Sequence, residues 1–125
     1  MRKALVLIMT AVIIVGLANL VRAPPPSDWP MFRHDLNHTG CSTSTAPNTN
    51  QIAWSYTTGD DVISSPAVVG GRVYVGSYDR KVYCLDAATG AFVWSYPTGN
   101  IAWSSPAVAG GMVYVGSLDC KVYCL

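Results

Sequence analysis

The chain has no glutamate, and all seven of its acidic residues are aspartates. It carries little charge, since charged residues make up 12% of its 125 residues and the formal net charge is +1. A balance this close to zero argues against a nucleic-acid partner, which a strongly basic protein would favour. Because charged helix formers are scarce while Val, Tyr, Trp, Thr, Ser and Gly are plentiful, we expect strands and tight turns rather than helices.

Long hydrophobic runs are also missing, except at the N-terminus. Arg2 and Lys3 precede the apolar stretch ALVLIMTAVIIVGLA, which ends with small residues at Gly16 and Ala18. This pattern is typical of an export signal cleaved after Ala18. The alternative is an uncleaved membrane anchor, although a helix of about 18 residues spans about 27 Å, which is marginal for a bilayer. Either way, residues 1–23 predict that the remainder is extracytoplasmic and meets a membrane only through this segment.

Residues 24–50 form a second segment with no clean hydrophobic period. Three consecutive prolines at its start fix the backbone near the polyproline conformation and predict a stiff spacer. The stretch DWPMFRHDLNHTG follows as a lead-in, and CSTSTAPNTN after it is polar and rich in turn-forming residues. We therefore expect a spacer and a loop before the first regular element.

A repeat of 40 residues occupies positions 51–125. Aligning 51–85 with 91–125 needs no gap, and 23 of the 35 aligned pairs are identical. Self-similarity at this period predicts a repeat architecture, and a unit of about 40 residues suits one four-stranded blade of a β-propeller. The sequence therefore predicts an all-β domain over residues 51–125.

Turn signals divide each repeat into short strands. The first repeat predicts PAVV, RVYVGS, KVYCL and AFVWSY as strands, separated by Gly70-Gly71, by YDR and by DAATG. Ile52–Thr57 is expected to be one further strand, and Pro106–Leu125 to hold three more. These eight predicted strands amount to about two blades, of which the second lacks its fourth strand.

Two blades cannot close a propeller ring, so further blades are expected as partners. We expect the sequence to be a fragment of a longer gene product, because the DAATG hairpin does not follow the second KVYCL and an apolar edge strand would be left. The alternative is that the first strand of one copy completes the last blade of another, so that several copies close a ring.

Candidate metal-ligating residues form no convincing set. His34 and His38 are four residues apart, but the stretch HDLNH lacks the glutamate of the zinc-protease motif. Asp60 and Asp61 have no acidic counterparts in the second repeat, and Asp79 fits turn chemistry better than calcium ligation. We therefore predict no metal site in this chain.

The four cysteines match no zinc-binding spacing, and no disulfide is assigned to them. Cys84 and Cys124 occupy the same position of the two repeats, within strands, and are expected to be small buried thiols. Cys120 replaces Arg80 of the first repeat and is expected at an exposed turn.

The segment CLDAATGAFVW resembles the repeat of the pyrroloquinoline-quinone-type (PQQ-type) β-propellers, whose motif is Ala-x-Asp-x-x-Thr-Gly-x-x-x-Trp. Trp54 is similar to the end of a preceding motif, Cys84 stands in the alanine position, and DWPMFRHDLNHTG resembles the family's lead-in. The resemblance implies a propeller of about seven or eight four-stranded antiparallel blades in the intact protein, with its tryptophans docked between blades. It implies structural roles for the matching residues, which are Asp86, Thr89, Gly90, Trp94 and Trp54.

The same family contains quinoprotein dehydrogenases and proteins that bind no quinone, among them an outer-membrane assembly scaffold. The enzymes use adjacent cysteines, a Glu and an Asn that hold calcium, and an Asp base, but this chain has neither a Glu nor adjacent cysteines. We therefore expect a non-catalytic binding or assembly surface at the cell envelope, with protein or surface-polymer partners and no cofactor. The alternatives are an N-terminal fragment of a quinoprotein dehydrogenase that uses PQQ and calcium, and a surface carbohydrate-binding module.

Overall fold

A computed structural model describes residues 28–125, which form two antiparallel β-sheets. The first sheet has the strand order β1-β2-β3-β4, and the second has the order β5-β6-β7. The strands are β1 (Ala67–Val69), β2 (Arg72–Ser77), β3 (Lys81–Asp86), β4 (Phe92–Pro97), β5 (Ala107–Ala109), β6 (Met112–Ser117) and β7 (Lys121–Cys124). The prediction of antiparallel, all-β blades is confirmed.

No helix between residues 28 and 125 is long and apolar enough to cross a membrane. The predicted signal or anchor segment, residues 1–23, lies outside the described residues.

The four strands predicted within the first repeat agree with the structure to within one residue at each end. Glycine pairs close the first hairpin of each sheet, at Gly70-Gly71 and Gly110-Gly111, and all four of these residues have positive φ. Such backbone angles suit two-residue hairpin turns, whose twist matches that of the flanking strands.

The second sheet repeats the pairing of the first. Tyr74 of β2 lies opposite Cys84 of β3, and Tyr114 of β6 lies opposite Cys124 of β7. The 40-residue offset in the sequence therefore also relates the registers of the two sheets.

The prediction of a strand at Ile52–Thr57 is wrong, so the described residues contain seven strands rather than eight. A strand needs a neighbouring edge that accepts its backbone hydrogen bonds. This segment instead contacts the first sheet through side chains, since the Tyr56 ring lies 5.7 Å from the ring of Tyr83. Tertiary contacts, and not strand pairing, fix its position.

The two sheets pack through a small apolar cluster. Val82 of β3, Ala102 of the β4–β5 connection and Val115 of β6 form its centre, with relative exposures of 0%, 0% and 2%. Three partly buried residues border them, Trp94, Tyr123 and Leu125. Burying aliphatic side chains in this way supplies the main driving force for stacking one blade on the next.

The lead-in joins the two sheets at their first strands. Trp29 and Val68 of β1 exchange two backbone hydrogen bonds, of 2.6 and 2.8 Å. The next residue, Pro30, accepts a hydrogen bond of 2.8 Å from the N–H of Val108 in β5. Asp28 is buried and accepts from the N–H of Gly70. The lead-in therefore contributes to the fold rather than serving only as a loop.

Candidate functional site

The β3–β4 turn holds three of the five motif residues. Asp86 ends β3, and its Oδ1 accepts hydrogen bonds from the N–H of Ala88, the N–H of Thr89 and the Thr89 hydroxyl, at 3.1, 3.0 and 2.9 Å. The hydrogen bonds from Thr89 hold the pKa of the Asp86 carboxyl below its usual value. The second carboxylate oxygen, Oδ2, pairs with Nη1 of Arg72 at 2.7 Å. This carboxylate is therefore occupied in shaping the turn.

Trp54 covers the same turn from the preceding segment. Its Nε1 donates a hydrogen bond of 2.9 Å to the carbonyl of Ala87. Its ring lies so close to Gly90 that a Cβ atom at that residue would come within 2.5 Å of the indole Cε3. Because Gly90 also has φ +71°, it combines a close approach with a backbone conformation that other residues rarely adopt.

Trp94 does not join the other motif residues at the turn. It belongs to β4 and packs at the border of the cluster between the two sheets, with its ring 6.0 Å from that of Tyr74. Four motif residues thus meet at one turn of the first sheet, and Trp94 lies at the contact with the second.

A second repeated arrangement lies at the β2–β3 and β6–β7 turns, and sequence reasoning missed it. The Tyr83 hydroxyl donates to Oδ2 of Asp79, and the Tyr123 hydroxyl donates to Oδ2 of Asp119 at 2.6 Å. Asp79 also accepts from the N–H of Gly59 at 3.0 Å. The available signal was the recurrence of Asp-x-x-x-Tyr 40 residues apart.

Burial and the carboxylate partner shift the acidity of this pair in the first sheet. Burial, the hydrogen bond to Asp79 and that residue's charge raise the pKa of Tyr83 to about 12. For Asp79, burial raises the pKa of the carboxyl, but the hydrogen bonds from Tyr83 and Gly59 lower it by more, so its pKa falls below the usual value. The pair is held as a carboxylate and a neutral phenol.

The first serine of each SSPAV segment forms two hydrogen bonds with the backbone of the neighbouring strand. The Ser64 hydroxyl accepts from the N–H of Gly76 at 2.8 Å and donates to the Gly76 carbonyl at 3.0 Å. Ser104 makes the same two hydrogen bonds with Gly116, at 2.6 and 3.3 Å. The polar residues repeated in both units therefore have structural partners.

Apolar side chains gather instead on the loops at one end of the sheets. We define the apolar loop surface as Ile63, Tyr78, Trp103 and Leu118. The rings of Tyr78 and Trp103 stack, with centroids 5.5 Å apart and planes inclined by 28°. Trp103 nevertheless keeps 50% of its surface exposed, and Leu118 and Ile63 keep 49% each. Large apolar side chains held in place but left open to solvent are typical of protein-binding surfaces.

Comparison with known proteins identifies the family to which these repeats belong. A family model described as that of the outer membrane protein assembly factor BamB, a PQQ-type repeat family, matches residues 42–125. The chain belongs to this family. No curated protein matches the chain at a significant level.

A solved structure of the same family supports the fold. The crystal structure of BamB from Moraxella catarrhalis matches with 25% sequence identity and a TM-score of 0.54 over 60% of this chain. The match covers 23% of that BamB chain, so the present chain spans about a quarter of its length. The PQQ-type resemblance expected from CLDAATGAFVW is thus confirmed, as is the expected likeness to a propeller fragment.

Calcium, a cofactor of the enzymatic PQQ-type proteins, finds no set of protein ligands among residues 28–125. The carboxylates of Asp79, Asp86 and Asp119 already accept hydrogen bonds that shape their turns. Residues 28–125 also contain no group of three or more His, Cys, Asp or Glu side chains placed to hold a metal ion.

The cysteines only partly follow expectation. Cys84 is buried in β3, with 1% of its surface exposed. Cys120 is exposed at the β6–β7 turn, as predicted. The prediction that Cys124 is buried is wrong, because the face of β7 on which it lies is uncovered in the described part of the chain.

Proposed function

We propose that this chain is part of an extracytoplasmic β-propeller that binds other proteins without catalysis during outer-membrane protein assembly. The family match, whose description names an outer membrane protein assembly factor, supports this role. The structural use of the repeated carboxylates, tyrosines and serines favours a scaffold over an enzyme. Residues 1–23 act in this proposal as an export signal or anchor, residues 24–50 as spacer and lead-in, and residues 51–125 as the repeats.

The exposed Tyr78–Trp103 stack carries the proposal that the partner is a protein. Aromatic side chains dominate the energetics of protein interfaces, because they bury much apolar area with few rotatable bonds. The stack fixes the Trp103 ring against Tyr78, so little side-chain entropy is lost when a partner covers it. Leu118 and Ile63 lie on the adjoining loops, since the N–H of Leu118 donates to the Ile101 carbonyl and the N–H of Tyr78 donates to the Asp61 carbonyl. Each keeps 49% of its surface exposed.

Genetic replacement in the source organism tests this role. Deleting the gene should lower the amount of folded β-barrel protein in the outer membrane, and the wild-type gene should restore it. A Trp103→Lys, Leu118→Lys double variant should restore it poorly, because two charges would have to be desolvated in the interface. Leu36→Lys, at a lead-in residue that is 90% exposed, is the matched control and should restore it fully.

Two experimental outcomes would contradict the proposal. Normal outer-membrane protein levels after deletion would exclude a role in assembly, and full rescue by the double variant would exclude the apolar loop surface. The double variant should be purified and should unfold at the same denaturant concentration as the wild type, so that misfolding is not mistaken for lost binding. Protease accessibility in spheroplasts should place the protein outside the cytoplasmic membrane.

A further inference from the structure

The lead-in contains a sequence motif that the blades do not use. Asn37-His38-Thr39 has the pattern Asn-x-Ser/Thr with a middle residue other than proline. In exported proteins this pattern is the acceptor for N-linked glycosylation, and it belongs on surface loops. Four other asparagines lack a serine or threonine two residues further on, namely Asn19, Asn48, Asn50 and Asn100. The sequence therefore offers a single acceptor site.

Asn37 lies near the tip of a turn that is open to solvent. The N–H of His38 donates to the Asp35 carbonyl at 2.9 Å, which closes a four-residue turn with Asn37 in its third position. Asn37 is exposed, and Leu36 beside it is 90% exposed. An oligosaccharide is bulky and hydrated, so it needs an asparagine that the rest of the fold leaves uncovered. Asn37 meets this requirement.

The base of this turn is held by the lead-in. The His34 ring lies 4.7 Å from the ring of Trp29, whose backbone is hydrogen-bonded to Val68 of β1. The N–H of Gly40 donates to the Arg33 carbonyl at 3.1 Å, so the two ends of the loop are close together. A substituent on the exposed Asn37 side chain can therefore extend into solvent without displacing a strand.

The hydrogen bonds across the loop are made by the neighbours of Asn37. Thr39 donates from its N–H to Oδ1 of Asp35 at 3.0 Å and from its hydroxyl to Oδ2 at 2.6 Å. The carboxamide of Asn37 takes part in no side-chain hydrogen bond within residues 28–125. The fold thus has no structural use for an amide at this position, in contrast to the serines and aspartates of the repeats.

Thr39 indicates when the site is open to modification. The hydroxyl at the third position is recognised together with the asparagine, because the pattern requires both. In the folded loop Asp35 holds that hydroxyl, so the folded loop is a poor acceptor. Asn37 precedes all seven strands, and it is therefore made and exported before the blades can fold. The newly exported, unfolded chain is the better acceptor.

We propose that Asn37 is N-glycosylated after export. This inference rests on the extracytoplasmic location proposed above. The carboxamide nitrogen attacks the anomeric carbon of an oligosaccharide that is linked through phosphate to a membrane lipid. A C–N bond forms as the C–O bond to the phosphate breaks, and the lipid phosphate leaves with the bonding electron pair. One amide proton passes to a base of the transferring enzyme, and nothing is oxidised or reduced.

The attached oligosaccharide has a consequence for the lead-in. Leu36 is the most exposed large apolar residue of this loop, and a hydrated chain on its neighbour shields it from other apolar surfaces. The same chain hinders proteases at an exposed loop, which is where cleavage concentrates. Since the lead-in is hydrogen-bonded to both sheets, this protects a segment that the fold uses.

Mass spectrometry of the protein purified from its source organism tests the proposal. Trypsin cuts after Arg33 and Arg72, so the peptide 34–72 contains the site. We expect this peptide to be heavier than its sequence, and fragmentation to place the added sugar mass on Asn37. Asn37→Gln should remove the added mass completely. Thr39→Ala should remove it as well, although the asparagine is still present.

Two matched variants should keep the added mass. Asn48→Gln replaces another exposed asparagine that lies outside the pattern, and Thr39→Ser retains the hydroxyl. Asn37→Gln and Asn48→Gln, both made in a host without the transferring enzyme, should unfold at the same urea concentration as the wild type from that host. Added mass that persists in Asn37→Gln would overturn the proposal, because the sugar would then lie elsewhere, for example on CSTSTAPNTN.

The location of the protein is measured on the same cells by protease accessibility in spheroplasts. A protein that is accessible outside the cytoplasmic membrane but carries no mass on Asn37 would overturn this inference and leave the proposed function intact. A protein that is protected inside the cytoplasm and unmodified would overturn both. An accessible protein whose added mass depends on Asn37 and Thr39 would support the inference.

Discussion

The two sheets have nearly the same residues at matching positions and yet differ in what those residues do. Val82 is fully buried and Val122 is 78% exposed, although both are followed by Tyr-Cys-Leu in the same strand of their repeats. Tyr83 is 5% exposed, whereas its counterpart Tyr123 is only partly buried. For Val82 the cause is the neighbour, because the second sheet covers the face of the first on which Val82 lies. Tyr83 lies on the opposite face, where the Tyr56 ring packs against it. In repeat proteins, much of each unit's stability comes from the contact with the next unit.

The largest expected difference between the sheets is at Gly76 and Gly116. A Cβ atom at Gly76 would clash with the backbone carbonyl of Ala102, whereas at Gly116 the nearest atom, the Ser104 hydroxyl oxygen, would be 3.3 Å away. Gly76→Ala should therefore lower the free energy of unfolding by about 3 kcal/mol through overpacking. Gly116→Ala should change it by less than about 1 kcal/mol. Urea denaturation followed by tryptophan fluorescence measures both, and equal losses would show that the sheets are not in the contact described.

A smaller difference is expected from truncating the equivalent valines. Val82→Ala removes two methyl groups from the buried cluster and should cost about 2 kcal/mol. Val122→Ala removes the same atoms from an exposed site and should cost less than about 0.5 kcal/mol in the free chain. Urea denaturation in dilute solution measures both losses. A loss at Val122 as large as that at Val82 would contradict the difference in burial between the two valines.

A third expected difference appears at alkaline pH and concerns Tyr83 of the first sheet. The pKa of Tyr83 is about 12 in the folded chain, against an ordinary value of 10.0. Between these values the unfolded chain has lost the phenol proton and the folded chain keeps it. The stabilising contribution is therefore complete below pH 10 and is lost as the pH rises toward 12.

Denaturation midpoints recorded across that range check this effect. Tyr83→Phe removes the ionisable group and should show a shallower alkaline loss than the wild type. Asp79→Asn removes the charge that disfavours the phenolate, so it should shift the loss to lower pH. Parallel curves for the wild type and Tyr83→Phe would mean that Tyr83 titrates equally in both states.

Much of the fold was predictable because its signals are local. Gly70-Gly71 and DAATG mark turns within a few residues, and the strand limits between them follow to within one residue. The absence of a strand at Ile52–Thr57 was not predictable from the sequence. The segment has the sequence of a fourth strand, but the described chain offers it no partner edge. The exposure of Cys124 was missed for the same reason, since a strand's composition does not state what covers it.

In the candidate site, too, the features set by local sequence were predictable and those set by packing between the sheets were not. The turn built by Asp86, Thr89 and Gly90 follows from a short motif whose members hydrogen-bond or approach one another locally. The apolar loop surface joins Tyr78 to Trp103, which belong to different repeats and meet only when the sheets stack. Trp103 has Ile63 as its repeat counterpart, so the 40-residue period alone gave no reason to single it out.

The lead-in changes how the blades are expected to unfold. In a simple stack each repeat contacts only its neighbours, and one end can fray while the other stays folded. Here Trp29 is hydrogen-bonded to β1 and the Pro30 carbonyl accepts a hydrogen bond from β5, so the same short segment contacts both sheets. Because Pro30 and Val108 are far apart in sequence, bringing them together costs chain entropy, and this cost is offset only when both blades have formed. The two blades should therefore melt together, in one cooperative step.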